Sequence, residues 1–197
     1  MASEGGEKPE GSSKVDWIIM LLRVVAFLLT LAATLVMALN KQTKTIAIAT
    51  IGTVPLQATL TAKFQHTPAF VFFVIANGNA ALHNLLMLLL GFARSKFNFK
   101  GLAPLVIPVL DLVNVAIVSG GASAAVFMGQ LGRNGNSHAR WNKICDKFES
   151  FCDRGGAAMI SSLVGLLLMT IICALSIIRL RNHYTYNKLA LNSSTAP

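Results

Sequence analysis

The sequence predicts an all-α membrane protein, a four-transmembrane-helix bundle with a small β-hairpin in its first extracellular loop. Three observations carry this. Of the 197 residues, 54% are hydrophobic and only 13% charged, about half the charged fraction of an ordinary soluble domain. The apolar residues fall into four long blocks, at about 17–39, 69–92, 102–127 and 157–178. Each is near the roughly 20 residues a helix needs to cross about 30 Å of hydrocarbon. Finally, residues 45–51 alternate Thr or Ala with Ile, and 58–64 carry Thr and Leu at period two. With the turn-like GTVP between them, this is the pattern of a hairpin.

The first block is preceded by residues 1–16, a Gly/Ser/Glu-rich stretch predicted to be a disordered tail. VMA at 36–38 has the small-x-small spacing of a signal cleavage site, but the apolar core before it is too long for a signal peptide. The four-span membrane domain is therefore assigned to 17–181. Its connections are unequal: a long first loop at 40–68, a tight second one at 93–101 (ARSKFNFKG) and a long third one at 128–156. The third contains HARWNKICDKFESFC, which reads as a short helix, and residues 182–197 form a polar, mobile C-tail.

Four crossings put both termini on the side of the short loop. Lys and Arg number eight on each side, so their count does not orient the chain. Three bases in the nine-residue second loop and RLR at 179–181 do abut the spans directly, which favours cytoplasmic termini. Two cysteines in the third loop suit an oxidising exterior. The sequon Asn192-Ser193-Ser194 then lies in the cytosol, where it stays unused.

Charge inside the spans is the main clue to function. Arg23 sits about six residues into the first block and Asp111, the one carboxylate inside any block, about nine residues into the third. The two blocks run in the same direction, so the residues lie roughly 9 and 13 Å deep, a difference of about 4 Å that a long arginine side chain covers. A bidentate pair between them resolves two costly burials together. It acts either as a staple between spans one and three or as part of an ion or proton path. The other polar groups in the blocks are Asn77, Asn79, His83 and Asn84 in span two and Asn114 in span three, predicted to make interhelical hydrogen bonds. Small residues in SGGASAA, among them Gly120 and Gly121, and Ala157, Ser161 and Gly165 at four-residue spacing allow close helix packing, within the bundle or between copies. Pro108 is placed to kink span three just before Asp111.

Several function classes are disfavoured. The net charge of +9 is scattered between apolar blocks and forms no basic stripe, so the bilayer rather than nucleic acid is the expected partner. No nucleophile–base pair, paired carboxylates or metal-ligand cluster is legible, and His66 and His83 lie on different segments. No catalytic residue, metal or cofactor is therefore predicted. Cys173 reads as an inert core thiol. Cys145 and Cys152 are either reduced or disulfide-bonded. Seven residues apart on a continuous helix they would be about 10.5 Å apart, so a disulfide requires the helix to break between them.

The Arg in the first span, the Asp in the third, the loop ATIGTVPLQATLTAKFQHTPAFVFFVIANG leading into span two and the cysteines of the second outer loop resemble the Casparian strip membrane domain protein-like (CASP-like) family of plants, and most closely its first subfamily. The similarity extends from about residue 15 to 182. It implies plasma-membrane tetraspan proteins related to the MARVEL fold, which associate as homo-oligomers and as hetero-oligomers with related members. Founding members form a lateral scaffold that excludes other membrane proteins and recruits secreted cell-wall enzymes for local wall modification. The family's functional residues carry over to Arg23 and Asp111, and its outer-loop cysteines to Cys145 and Cys152. The founding members' aromatic signature in the first outer loop is absent here, which points to a scaffolding role in another tissue. The alternative is a small ion or solute channel or transporter subunit using the Arg23–Asp111 pair.

Overall fold

The computed structural model describes residues 10–51, 54–93 and 103–194. Helix α1 spans Glu10–Ala38 and is followed by strands β1 (Lys41–Ile51) and β2 (Val54–Lys63) and a single 3-10 turn at Phe64–His66. Helices α2 (Pro68–Ala93), α3 (Ala103–Asn134) and α4 (Glu149–Ser194) complete the chain. All four are long and apolar enough to cross a membrane. They form a four-helix membrane bundle with a two-stranded antiparallel hairpin at one end. The expectations for residues 1–9, for most of the basic second loop and for the centre of the GTVP turn fall outside the described residues.

Each helix packs on its two sequence neighbours, and α4 closes the ring against α1. Helices α1 and α3 therefore face one another across one diagonal, and α2 and α4 across the other. The core is built in layers. Near the hairpin, Met37, Phe70, Ala125 and Ala158 are buried with Phe148 at the end of the third loop and Phe151 in the first turn of α4. Phe70 and Phe151 meet edge to face, ring centres 6.2 Å apart. Towards the other end, Ala26, Ala80, Val118 and Met169 fill the centre with Ile19 and Ile172. The opposite surface of every helix is apolar and exposed, as at Leu28, Ile75, Leu112 and Ile160, which is the arrangement that lipid rather than water selects.

Sequence hydropathy marks where apolar runs stop, and the helices do not stop there. Helix α1 begins at Glu10, inside the stretch read as a disordered tail, and α4 continues to Ser194 through the segment read as a mobile tail. Helix α3 passes Pro108 and runs seven residues beyond its apolar block to Asn134. It ends because Gly135 takes a left-handed φ of +69° and its N–H returns to Leu131 O at 2.8 Å. A side chain there would lie 2.7 Å from Trp141 O, so glycine is required.

The third loop is not the short helix expected. Residues 135–148 fold back on the end of α3 through a bridge between Asn136 and Trp141 and through Ile144 N–H to Gly132 O at 2.8 Å. Cys145 lies in this turn and Cys152 in the first turn of α4, and they form a disulfide with Cα atoms 5.6 Å apart. The break before Glu149 brings the cysteines within bonding reach, as the spacing argument demands. Replacing Cys145 and Cys152 by serine is expected to cost about 2 kcal/mol. Hydrogen exchange should show the loss confined to 132–152, and equal loosening of the residues around Arg23 would contradict it.

The hairpin is longer than the alternation suggested, with Lys41 opposite Lys63 and Ile51 opposite Val54, and an irregularity between Ala47 and Ala49. On one face Thr43 and Thr61 bond through their hydroxyls at 3.0 Å, and Thr45 and Thr59 at 3.2 Å. An isolated two-stranded hairpin is marginal in water, and here its root is tied down. Ala62 packs against the core, Gln42 Oε1 accepts from Phe151 N–H at 2.8 Å, and Asn40 Nδ2 donates to Phe151 O at 2.7 Å. These contacts also occupy one of the unpaired N–H groups at the start of α4.

Candidate functional site

Arg23 reaches Asp111 across the α1–α3 diagonal. Its Nη1 donates to Oδ1 at 3.0 Å and its Nη2 to Oδ2 at 2.6 Å, a bidentate pair in which both residues are buried, 6% and 3% exposed. Since α1 and α3 are not neighbours in the ring, this pair is a strut through the centre of the bundle. Asp111 has further partners. His83 of α2 places Nε2 2.7 Å from Oδ1, and an N–H there donates to the carboxylate. Ser176 of α4 donates to Oδ2 at 3.5 Å, the limit of a hydrogen bond. One carboxylate thus gathers a side chain from every helix.

The second diagonal has a smaller polar tie. Ser162 of α4 donates to Asn77 Oδ1 at 2.8 Å, and Asn77 Nδ2 returns to Phe73 O at 3.0 Å. The apolar layer of Ala26, Ala80, Val118 and Met169 lies between this tie and the charged one. Between the neighbours α2 and α3, Asn79 Nδ2 donates to Asn114 Oδ1 at 3.1 Å, while Asn114 Nδ2 bonds Leu110 O. Asn84 is buried but differs from the expectation, because its Nδ2 donates to Ala80 O in its own helix at 2.9 Å.

The small residues make seams inside the bundle. A side chain added at Gly121 would place its Cβ 2.9 Å from Ala76 Cβ, and Gly120 faces the Phe72 ring. Ser161 donates to Leu29 O at 2.9 Å, and a Cβ at Gly165 would lie 3.2 Å from Thr30 Cγ2. Gly121 therefore sets the α2–α3 approach, and Ser161 with Gly165 the α1–α4 approach. Ala157 stands apart, exposed on the surface. Cys173 is buried, with Sγ 4.0 Å from Pro108 O. At the far end, Arg179 pairs with Asp16, Nη2 to Oδ2 at 3.1 Å, an exposed contact of little energetic weight.

Sequence reasoning did not connect His83, Ser162 or Ser176 to these ties. For His83 the signal was available. It lies fourteen residues from the start of span two, which runs opposite to spans one and three, so it falls near the depth of Arg23. Ser162 and Ser176 carried no comparable signal, because serine is common in membrane helices and its partner depends on rotation about the helix axis. The Asn40 and Gln42 contacts to Phe151 were hidden for another reason, since backbone acceptors and donors leave no trace in residue type.

Comparison with known proteins agrees with this architecture. The model of the Casparian strip membrane protein domain matches residues 12–168. CASP-like protein 1B1 of Populus trichocarpa is 63% identical over 164 residues, covering 83% of this chain and 84% of its own. CASP-like protein 1B2 of Vitis vinifera is 55% identical with both chains fully covered, and CASP-like protein 1B2 of Arabidopsis thaliana is 54% identical over 86% of this chain and 87% of its own. No solved structure matches. A membrane bundle tied by an arginine in its first span and an aspartate in its third, matched by a domain model and by relatives of one subfamily over most of its length, belongs to the CASP-like family, in subfamily 1B.

Proposed function

We propose that this protein is a non-enzymatic plasma-membrane scaffold, with both termini cytoplasmic. It associates laterally with copies of itself and with related family members, and organises partners, among them secreted cell-wall enzymes, for local wall modification. The observation that carries this reading is the closure of the Asp111 site. Both carboxylate oxygens are occupied by groups of the same chain, and the adjoining layer towards the hairpin is hydrocarbon. Charge arranged in this way fixes one shape, and among the described residues it is held by partners of the same chain with hydrocarbon beside it, which weighs against a channel or transporter subunit. What the molecule offers outward is apolar helix surface and an anchored hairpin, both suited to side-by-side assembly.

Fluorescence recovery and chemical cross-linking of the tagged protein in plant plasma membrane test this. Recovery at least tenfold slower than that of a single-span control is expected, together with cross-linked species at multiples of 21.0 kDa. Free diffusion of a monomer would remove the scaffold reading.

A further inference from the structure

A cleft of about 1210 Å³ opens at the hairpin end of the bundle, between the ends of α3 and α4 and beneath the third loop. Its wall is apolar, with Phe148, Met159 and Leu163. Leu163 lies six residues inside the apolar block of α4, about 9 Å along the helix, so the cleft descends from the loops to hydrocarbon depth. Charged side chains of both signs line it, Lys63 and Arg133 together with Asp146, Glu149 and Asp153. An apolar recess with a few polar groups at one end is the usual form of a ligand site.

Gly156 supplies an independent observation. Glycine in a helix interior costs roughly 0.5–1 kcal/mol relative to alanine, and at Gly121 and Gly165 the return is close contact with a neighbouring helix. Gly156 lines the cleft, and a Cβ added there would meet nothing within 4 Å. No neighbouring helix stands against it, and the space beside its Cα is open cleft.

We propose that this cleft binds one zwitterionic phospholipid from the leaflet on the hairpin side. An acyl chain lies along α4 past Gly156 to Leu163, the phosphate meets Lys63 and Arg133, and the ammonium group meets Asp146 and Asp153. The mixed charge is complementary to a headgroup that carries both charges, and at this depth hydrocarbon, not water, is the natural filling of an apolar recess. The proposal does not depend on the scaffold reading.

The test reconstitutes the full chain in phosphatidylcholine vesicles doped with a phosphatidylcholine that carries a photoreactive diazirine on one acyl chain. Peptide mapping is expected to find adducts concentrated on the cleft faces of 128–132 and 156–163. Gly156→Trp starts from a Cβ with nothing within 4 Å and puts a bulky ring into the cleft, and should lower those adducts at least fivefold. Adducts on the exposed Leu85–Leu89 face should be unchanged, and the Cys145–Cys152 disulfide should still form. Leu163→Trp, at a partly exposed position lower in the cleft, should do the same. Even labelling of all faces, or insensitivity to both variants, would overturn the proposal. So would preferential labelling of the cleft by a sterol diazirine, or cross-linking of the cleft to a second copy.

Discussion

Replacing Asp111 by leucine is expected to cost the bundle about 3–5 kcal/mol, because Arg23 is left charged, buried and without its acceptor. Arginine cannot relieve this by losing its proton, and His83 loses its acceptor at the same time. Replacing both members, Arg23→Met with Asp111→Leu, is expected to recover most of the loss, since an apolar pair in hydrocarbon needs no compensation. Thermal unfolding in mild detergent, with accumulation at the membrane as a second readout, checks both. Exchange of the charges, Arg23→Asp with Asp111→Arg, should rescue only in part. An arginine at 111 would face the donor nitrogen of His83 and the hydroxyl of Ser176, where Asp111 accepts. Full rescue by exchange would mean that the histidine contact contributes nothing. A tolerated single replacement would mean that the strut does not brace the fold.

Gly121→Leu is expected to cost about 3 kcal/mol or more by forcing α2 and α3 apart. Even its Cβ would approach Ala76 Cβ to 2.9 Å and Phe73 Cα to 3.4 Å. The near neighbours are a short side chain and backbone, which cannot swing aside, so the helices must shift. Gly121→Ala would gain about 1 kcal/mol of helix propensity and still be a net loss. Adding Ala76→Gly to Gly121→Ala removes the closest contact and should restore part of it. Gly156→Ala gives the opposite sign, a gain of about 0.5–1 kcal/mol, because nothing stands near its Cβ. Unfolding temperatures of the four variants in one detergent decide the matter. A neutral Gly121→Leu would show that this seam does not set the helix spacing.

Features fixed by single residues or by long runs were legible in the sequence. Arg23 and Asp111 stood out because ionised groups in hydrocarbon are rare and must find each other, and the hairpin showed in its period-two alternation. The four spans followed from composition, though their ends did not. Composition changes at Arg179, yet the backbone hydrogen bonds of α4 continue to Ser194 because nothing in the polar sequence after Arg179 breaks a helix. The disulfide was legible only as a geometric alternative, and the turn that permits it depends on Gly135 and on the Ile144 contact with Gly132 O. Asn84 was misread for a related reason. An asparagine in a membrane helix can satisfy itself on its own backbone, and residue type does not say which partner wins.

The α1–α3 strut also explains how the bundle keeps one cross-section. Van der Waals packing sets the spacing of neighbouring helices at Gly121 and Gly165, but neighbours alone allow the ring to shear into a rhombus. The Arg23–Asp111 and Ser162–Asn77 ties cross both diagonals and oppose that motion. A surface of constant shape is what the proposed lateral contact between copies needs.

Ion and proton flux through proteoliposomes carrying the wild-type chain or the Arg23→Met/Asp111→Leu variant separates a brace from a conducting path most directly. With pH- and potential-sensitive dyes, neither protein is expected to raise flux above that of protein-free vesicles, while both remain folded and self-associated. A wild-type flux that vanishes in the folded double variant would contradict the account, because the charged pair would then be carrying ions and not holding the helices.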